Sequence, residues 1–155
     1  MDDFSDMIFD RTQFDVEEAK RLREKLQRGE QLNGDEVFAL ERGTFSLATI
    51  NRIENKQAEL YDLFIIAGYG GEEVFNVNWA FSDFFTDGDL LRLIDNGEKL
   101  KDAFFVYADT PNRPQALYHF NEVNAIERIL YDLDRNYQYM VSNWKECGTF
   151  ESGGA

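Results

Sequence analysis

The sequence contains little cysteine, histidine or proline, and each shortage excludes a class of protein. Its 155 residues include one Cys and one His, Cys147 and His119. The chain therefore cannot form an internal disulfide, and these two side chains cannot make a zinc site by themselves. With only 2 Pro and 43% hydrophobic residues, the composition is typical of a globular chain rather than a disordered one. We expect a single domain that folds around a hydrophobic core.

Basic residues are also scarce, because 16 Lys and Arg stand against 30 Asp and Glu, which gives a formal net charge of −14. Affinity for phosphate groups depends on Lys and Arg, so we expect no nucleic-acid partner and no membrane partner. No apolar run approaches the roughly 20 residues that span a bilayer. The first residues are acidic where a signal peptide is basic. These features predict a soluble protein that is made in a cytoplasm.

The spacing of the apolar residues predicts a mainly α fold, a single domain of four to five helices. The expected helices cover residues 13–28, 34–42, 46–67, a stretch that begins after 86, and a last stretch from about 121 to 144. Thr12 and Thr86 are each followed three residues later by Asp, the spacing of a capping box. The helices at 46–67 and 121–144 carry the longest apolar stripes, so we expect them to pack together at the centre of the core.

The remaining segments lack a helical period. We divide the single domain, residues 1–155, into an N-terminal arm at 1–11, a helical core at 12–145 and an extended C-terminal tail at 146–155. Within the core, residues 69–86 are predicted to form an irregular aromatic loop that could include short strands. Pro111 and Pro114 cannot lie inside a helix, so we expect a connector before the last helix. No internal repeat is evident.

No pattern of catalytic or metal-binding residues is complete. Residues 83–94 resemble a calcium-binding loop in part, but Phe85 and Ile94 stand where oxygen ligands are needed. The glycines at 68–71 follow a predicted helix, so a helix-ending turn is favoured over a phosphate-binding loop. His119 lies between two aromatic residues and has no visible nucleophile. We therefore predict that the protein is not an enzyme and has no catalytic residue, no metal and no cofactor.

Aromatic residues, in contrast, are abundant, with 14 Phe, 7 Tyr and 2 Trp. Four of them cluster within a short stretch of the irregular loop, outside any helical stripe: Trp79, Phe81, Phe84 and Phe85. This loop could fold back over the helices, or its rings could pack on a neighbouring subunit, as aromatic residues do at interface centres. Stacking on a carbohydrate is a third interpretation. Phe150 in the tail could anchor a partner or pack on its own helix. These five residues are the candidate protein-interface residues.

Six short segments resemble, in the same order, a module of structural proteins from tailed bacteriophages and prophages of gut Firmicutes. The segments are Arg11-Thr12-Gln13-Phe14-Asp15-Val16, Ile50-Asn51-Arg52-Ile53-Glu54, Asn78-Trp79 with Asp83, Thr110-Pro111-x-x-Pro114, Asn124-Ala125-Ile126-Glu127-Arg128-Ile129-Leu130 and Gly148-Thr149-Phe150-Glu151-Ser152-Gly153. The module reads Arg-Thr-Gln-x-Asp-Val, Leu-Asn-Arg-Val-Glu, Asp-Trp, Thr-Pro-x-x-Pro, Asn-Asn-Ile-Glu-Lys-Ile-Leu and a closing repeat of Ser-Gly-Glu. The matches extend over residues 11–153.

The resemblance implies a virion component, part of a tail, tail fibre or baseplate, that acts through protein–protein contacts. Its partners would be other virion proteins and copies of itself, and assembly into the virion would take place in the cytoplasm of the bacterial host. The chain departs from the module at Asn78, where a charged residue is usual, at Phe84-Phe85, which replaces Ile-Pro, and at Cys147–Phe150. The alternative, from another class, is a phage protein that binds glycans or acts on the cell wall.

Overall fold

The computed structural model describes the backbone of residues 7–154 and the side chains of residues 7–144. In that part, the chain forms five helices and no strand. The helices are α1 (Gln13–Gln27), α2 (Gly34–Arg42), α3 (Leu47–Ile66), α4 (Asp87–Ala103) and α5 (Phe120–Gly154). The predicted mainly α class with four to five helices is confirmed. The short strands considered for the aromatic loop do not form among the described residues, and that loop is irregular throughout.

Helices α3, α4 and α5 enclose the hydrophobic core. Their buried apolar side chains recur every three or four residues, which places them on one face of each helix. They include Ile53, Leu60 and Phe64 of α3, Leu93, Ile94 and Leu100 of α4, and Ile126, Ile129, Leu130 and Leu133 of α5. The helices with the longest apolar stripes therefore do pack together, as expected, and α4 completes the core as a third wall.

Helices α1 and α2 form a hairpin beside this core, and Gly43 at the end of α2 lets the two helices approach closely. A side chain at position 43 would collide with the backbone carbonyl of Asp15 and with the side chain of Ala19, so only glycine fits there. Arg42 reaches Asp15 at 3.1 Å from Nε to Oδ1 and Asp10 at 2.9 Å from Nη2 to Oδ1. These ion pairs connect the hairpin to the segment that precedes α1.

The C-terminal tail differs from its prediction, because α5 continues to Gly154 and residues 146–154 are helical rather than extended. Once a helix has formed, each added residue gains one backbone hydrogen bond. No proline follows Pro114, and a glycine inside a helix costs only about 1 kcal/mol. Glycine and serine in the tail were therefore a weaker stop signal than expected. The predictions for residues 1–6 and 155, and for the Phe150 side chain, lie outside the part that the structure describes.

Both predicted capping boxes form, and the one at α4 is reciprocal. Thr86 N donates to Asp89 Oδ2 at 2.8 Å, and Asp89 N donates to Thr86 Oγ1 at 3.2 Å. Before α1, Thr12 N donates to Asp15 Oδ2 at 2.8 Å. Burial acts to raise the pKa of Asp89, but the hydrogen bonds from Thr86 and Arg92 lower this pKa on balance. The ionised form of Asp89 therefore stabilises the folded state.

Replacing Asp89 by Asn should weaken the protein in a pH-dependent way. The folded-state pKa of Asp89 lies below its ordinary value of 3.8, so its stabilisation is complete above the unfolded pKa and is lost as the pH falls through the folded pKa. Asp89→Asn should be less stable than the wild type near neutral pH, and this difference should shrink below about pH 4. Denaturant unfolding at a series of pH values measures this difference in the free energy of unfolding.

Asp62→Asn, which removes one exposed carboxylate from α3, is the control for the change in net charge. If the Asp89→Asn variant differed from the wild type by the same amount at every pH, the ionised cap would not be the cause.

Candidate functional site

Trp79, a candidate interface residue, is held against α3 by its own backbone. Trp79 N donates to Asn51 Oδ1 at 2.6 Å, and Asn51 Nδ2 donates to Trp79 O at 2.9 Å. The amide side chain of Asn51 thus pairs with an irregular segment in the way that a neighbouring strand would, because it carries both an acceptor and a donor. Only 6% of Trp79 is exposed. The structure therefore places this ring inside the protein rather than on its surface.

Glu54, three residues beyond Asn51 on α3, is fully buried and accepts hydrogen bonds from three directions. Trp79 Nε1 donates to Oε2 at 2.7 Å, and Asn76 N donates to Oε1 at 2.9 Å. Arg92 of α4 forms an ion pair with Oε1 at 2.8 Å from Nη2. Burying a carboxylate is costly unless it is paired and hydrogen-bonded. Glu54 meets both conditions and so connects α3, α4 and the aromatic loop.

The same arrangement occurs on α5, where Asn124 holds the segment that precedes α1. Arg11 N donates to Asn124 Oδ1 at 3.2 Å, and Asn124 Nδ2 donates to Arg11 O at 3.0 Å. The Arg11 side chain is buried as well, and its Nε donates to the carbonyl oxygen of Arg42 at 2.8 Å. Burial lowers the pKa of the Arg11 guanidinium, while the charge of Glu127 acts to raise it.

Glu127 is the counterpart of Glu54 on α5 and is also fully buried. Arg11 Nη1 lies 2.6 Å from Glu127 Oε2, and Arg52 of α3 forms an ion pair with Oε1. Ile8 N donates to the same Oε1 at 3.3 Å. One carboxylate therefore faces two guanidinium groups and a backbone amide, and it connects the N-terminal segment, α3 and α5.

The two sites share the pattern Asn-x-Ile-Glu, at residues 51–54 of α3 and 124–127 of α5. In each, Asn holds an irregular segment by its backbone, Ile enters the core, and Glu pairs with arginine. The held segment in each case leads to a helix that begins with a Thr-x-x-Asp capping box. The contacts are crossed, because α3 holds the segment before α4 and α5 holds the segment before α1. This correspondence is confined to these few positions of α3 and α5 and to the segments that they hold.

The proline-containing connector between α4 and α5 is fixed by a third buried carboxylate, Asp132. Thr110 Oγ1 donates to Asp132 Oδ2 at 2.6 Å, and Arg128 Nε lies 2.9 Å from Asp132 Oδ1. Tyr107 N donates to Thr110 Oγ1 at 3.1 Å, so the threonine is used as both donor and acceptor. The Thr-Pro-x-x-Pro segment is thus attached to α5 by its first residue.

Phe85 is half-buried and packs against Trp79. Its ring lies edge-on to Trp79 at 5.3 Å between centroids and to Phe45 at 6.0 Å. Edge-to-face contacts of this kind are favourable for aromatic pairs. For Trp79 and Phe85, the structure agrees with the interpretation that the loop folds back over the helices.

Phe81 and Phe84 behave differently, since their side chains are 98% and 85% exposed. Earlier in the loop, Asn78 has a φ of 60°, a left-handed conformation that Asn adopts more readily than most residues. Asn78 N donates to Asn55 Oδ1 at 3.0 Å, which fixes this residue to α3. Of the loop candidates, Phe81 and Phe84 are therefore the two whose rings could meet a partner.

Sequence reasoning missed Glu54 and Glu127, although a signal was present. Each lies four residues after an apolar residue of its helix, Ile50 or Val123, and so falls on the buried face. An acidic residue on that face requires a buried cation or donor. The identity of those donors could not be predicted, because they lie 22 to 119 residues away along the chain, as in Asn76 and Ile8.

The residues considered for metal binding or catalysis have structural contacts. No group of three His, Cys, Asp or Glu side chains that could hold a metal ion occurs in the described part of the chain. Asp83 accepts a hydrogen bond from Ala80 N at 2.7 Å and closes a turn. His119 is exposed, and its N donates to Glu122 Oε1 at 3.1 Å. Among the described helices, none combines the length and the apolar character that crossing a membrane requires.

A cleft of about 530 Å³ lies between α1, the turn after α2 and the start of α5. Its lining includes three arginines and the single histidine, namely Arg11, Arg23, Arg42 and His119. Among the residues that the structure describes, no acidic side chain lines it, although the chain has 30 Asp and Glu. We call this feature the arginine cleft.

Comparisons of the chain with protein-family models, with curated proteins and with solved structures gave no match.

Replacing Glu127 by Gln should strongly destabilise the protein. The variant keeps the size of the side chain but leaves Arg11 and Arg52 without a buried counter-charge, and breaking a buried ion pair in this way costs about 3–5 kcal/mol. Denaturant unfolding measures the loss. Glu18→Gln is the matched control, because the Glu18–Arg21 ion pair is on the surface of α1 and its removal should change stability little. Equal stability of the two variants would contradict the role given to Glu127.

Proposed function

We propose that the protein is a non-enzymatic structural component of a tailed phage particle, in a tail, tail fibre or baseplate. It would act through contacts with other virion proteins and with copies of itself, and it would be assembled in the cytoplasm of the bacterial host.

The supporting observation is where the residues that resemble the phage module lie. Arg11, Asn51, Glu54, Asn124 and Glu127 belong to the matching segments, and all five make the contacts that hold the irregular segments to the helices. Residues that the chain has in common with the module, and that make these contacts, would keep the helices and the irregular segments in one rigid arrangement. Such a frame suits a building block whose surface meets different neighbours, because the surface can vary while the interior contacts stay the same.

A non-enzymatic role is favoured by how the buried carboxylates are used. Among the described residues, three acidic side chains are fully buried, namely Glu54, Glu127 and Asp132, and each accepts hydrogen bonds from an arginine and from at least one other donor. General acid or base catalysis needs a carboxyl group that can exchange a proton with a substrate in a cleft. In these three residues, the carboxylate oxygen atoms already accept hydrogen bonds from other parts of the protein.

Glycan binding is the second candidate, and the exposed rings of Phe81 and Phe84 favour it. An exposed aromatic ring beside acceptor side chains can stack on a sugar, and Asp83 lies between these two residues in the sequence. The protein-contact role is preferred because the same rings also fit an interface anchor, and because the resemblance points to the virion.

The direct test is to purify tailed particles from a host that carries the gene and to measure this chain by mass spectrometry. A structural component should occur in a fixed ratio to the other virion proteins, and deletion of the gene should give incomplete particles. Particles that are complete and infective without the chain would contradict the proposal.

The same system tests the two exposed rings. Phe81→Ser with Phe84→Ser should reduce incorporation into particles, whereas Phe105→Ser, which removes an exposed phenylalanine elsewhere, should not. If incorporation is normal and binding to cell-wall glycan is lost in the double variant, the glycan-binding candidate is the correct one.

A further inference from the structure

The loop that carries Phe81 and Phe84 is uniformly acidic. Residues 72–89 contain five acidic residues and no Lys, Arg or His. Three of the acidic residues have partners within the chain, since Glu73 accepts from Tyr69 Oη, Asp83 accepts from Ala80 N and Asp89 pairs with Arg92. The exposed apolar side chains of the same stretch are Val74, Val77, Phe81 and Phe84. We call residues 72–89 the acidic aromatic strip.

The arginine cleft has the opposite chemistry. Besides its three arginines and histidine, it is lined by the aromatic residues Phe45, Tyr118 and Phe120. Arg42 and Arg11 already pair with carboxylates of the chain, although Arg11 Nη2 is buried with no hydrogen-bond partner among the described residues. Arg23 is exposed and makes no ion pair within the described residues. The cleft therefore offers a cation at its rim and aromatic surface beside it.

The strip and the cleft adjoin one another at Phe45. This residue lines the cleft and also packs against Phe85 of the strip, at 6.0 Å between ring centroids. When two complementary surfaces lie side by side on one molecule, a twofold-symmetric dimer can use both of them at once. In such a dimer, the strip of each copy contacts the cleft of the other copy. If they lay on opposite sides, the same contact would produce an open chain of subunits.

We infer that this face binds a second copy of the chain, with the acidic aromatic strip of each copy in the arginine cleft of the other. The inference rests on the proposed function only in treating Phe81 and Phe84 as protein-contact residues. It adds that the partner is a second copy of the chain and that the two contacts are reciprocal. Two copies of charge −14 repel each other at long range, but this repulsion is screened beyond about 8 Å at physiological salt. At contact, the local complementarity of acid with arginine and of ring with ring determines the binding.

A charge-swap experiment tests this arrangement. Asp87→Arg reverses one exposed acid of the strip, which makes no hydrogen bond within the described residues, and Arg23→Glu reverses the exposed cation of the cleft. Either variant alone should lose the dimer, because like charges then face each other at both contacts. An equimolar mixture should regain it, since the two altered residues meet at one contact and the two unaltered residues meet at the other.

Analytical ultracentrifugation over a wide range of protein concentration, at physiological salt, gives the association state. The wild type should dimerise, and the double variant Phe81→Ser with Phe84→Ser should be a folded monomer, with thermal unfolding as the check of folding. The controls are Asp62→Arg and Lys99→Glu, which reverse exposed charges on α3 and α4 outside both surfaces, and these variants should dimerise like the wild type.

Three results would overturn the inference: a monomeric wild type at every concentration, a dimer that neither reversal weakens, or open-ended oligomers in place of a dimer. These outcomes are separate from the test of the proposed function. A monomeric chain that is found in particles leaves the virion role standing, and a dimer that is absent from particles leaves the self-association standing.

Discussion

The fold depends on two buried carboxylates, Glu54 and Glu127, whose charges must be neutralised inside the protein. Each is fully buried and forms an ion pair with an arginine. Each also accepts a hydrogen bond from a backbone amide of a segment that has no regular structure. Removing a carboxylate from water is costly, and only complete pairing offsets the cost. The irregular segments must therefore stay in place for the helices to pack. In this way the polar contacts specify a unique arrangement, whereas the apolar core supplies most of the stabilisation.

The crossed pattern of these contacts makes the molecule one cooperative unit. The segment before α1 is held by α5, at the other end of the chain, and the segment before α4 is held by α3. Arg52 adds a direct link between the two sites, because it projects from α3 to Glu127 on α5. If either segment came loose, a buried carboxylate would lose hydrogen-bond donors while it remained in the apolar interior. The aromatic loop is consequently held on a rigid base, in which Trp79 is buried, Phe85 is half-buried, and Phe81 and Phe84 are exposed.

The sequence predicted the helices well because local signals determine them. Apolar spacing located α3 and α5, and Thr12 and Thr86 marked two helix starts through contacts only three residues long. The burial of Trp79 could not be predicted in the same way, since its partners Asn51 and Glu54 are 28 and 25 residues away. The end of α5 was misjudged because glycine and serine weaken a helix without ending it. The role of Phe81 and Phe84 stays a prediction.

The most direct test of this account is amide hydrogen exchange measured residue by residue by NMR. The amides of Ile8 and Asn76 donate to the two buried carboxylates, and the amides of Arg11 and Trp79 donate to the half-buried Asn124 and Asn51. Opening of these four amides should therefore require nearly the full free energy of unfolding, as for core amides of α3 and α5. The amide of Phe81, at the exposed part of the same loop, should exchange quickly. Rapid exchange at all four of the held amides would show that the irregular segments open independently, and it would contradict the central role of the two carboxylates.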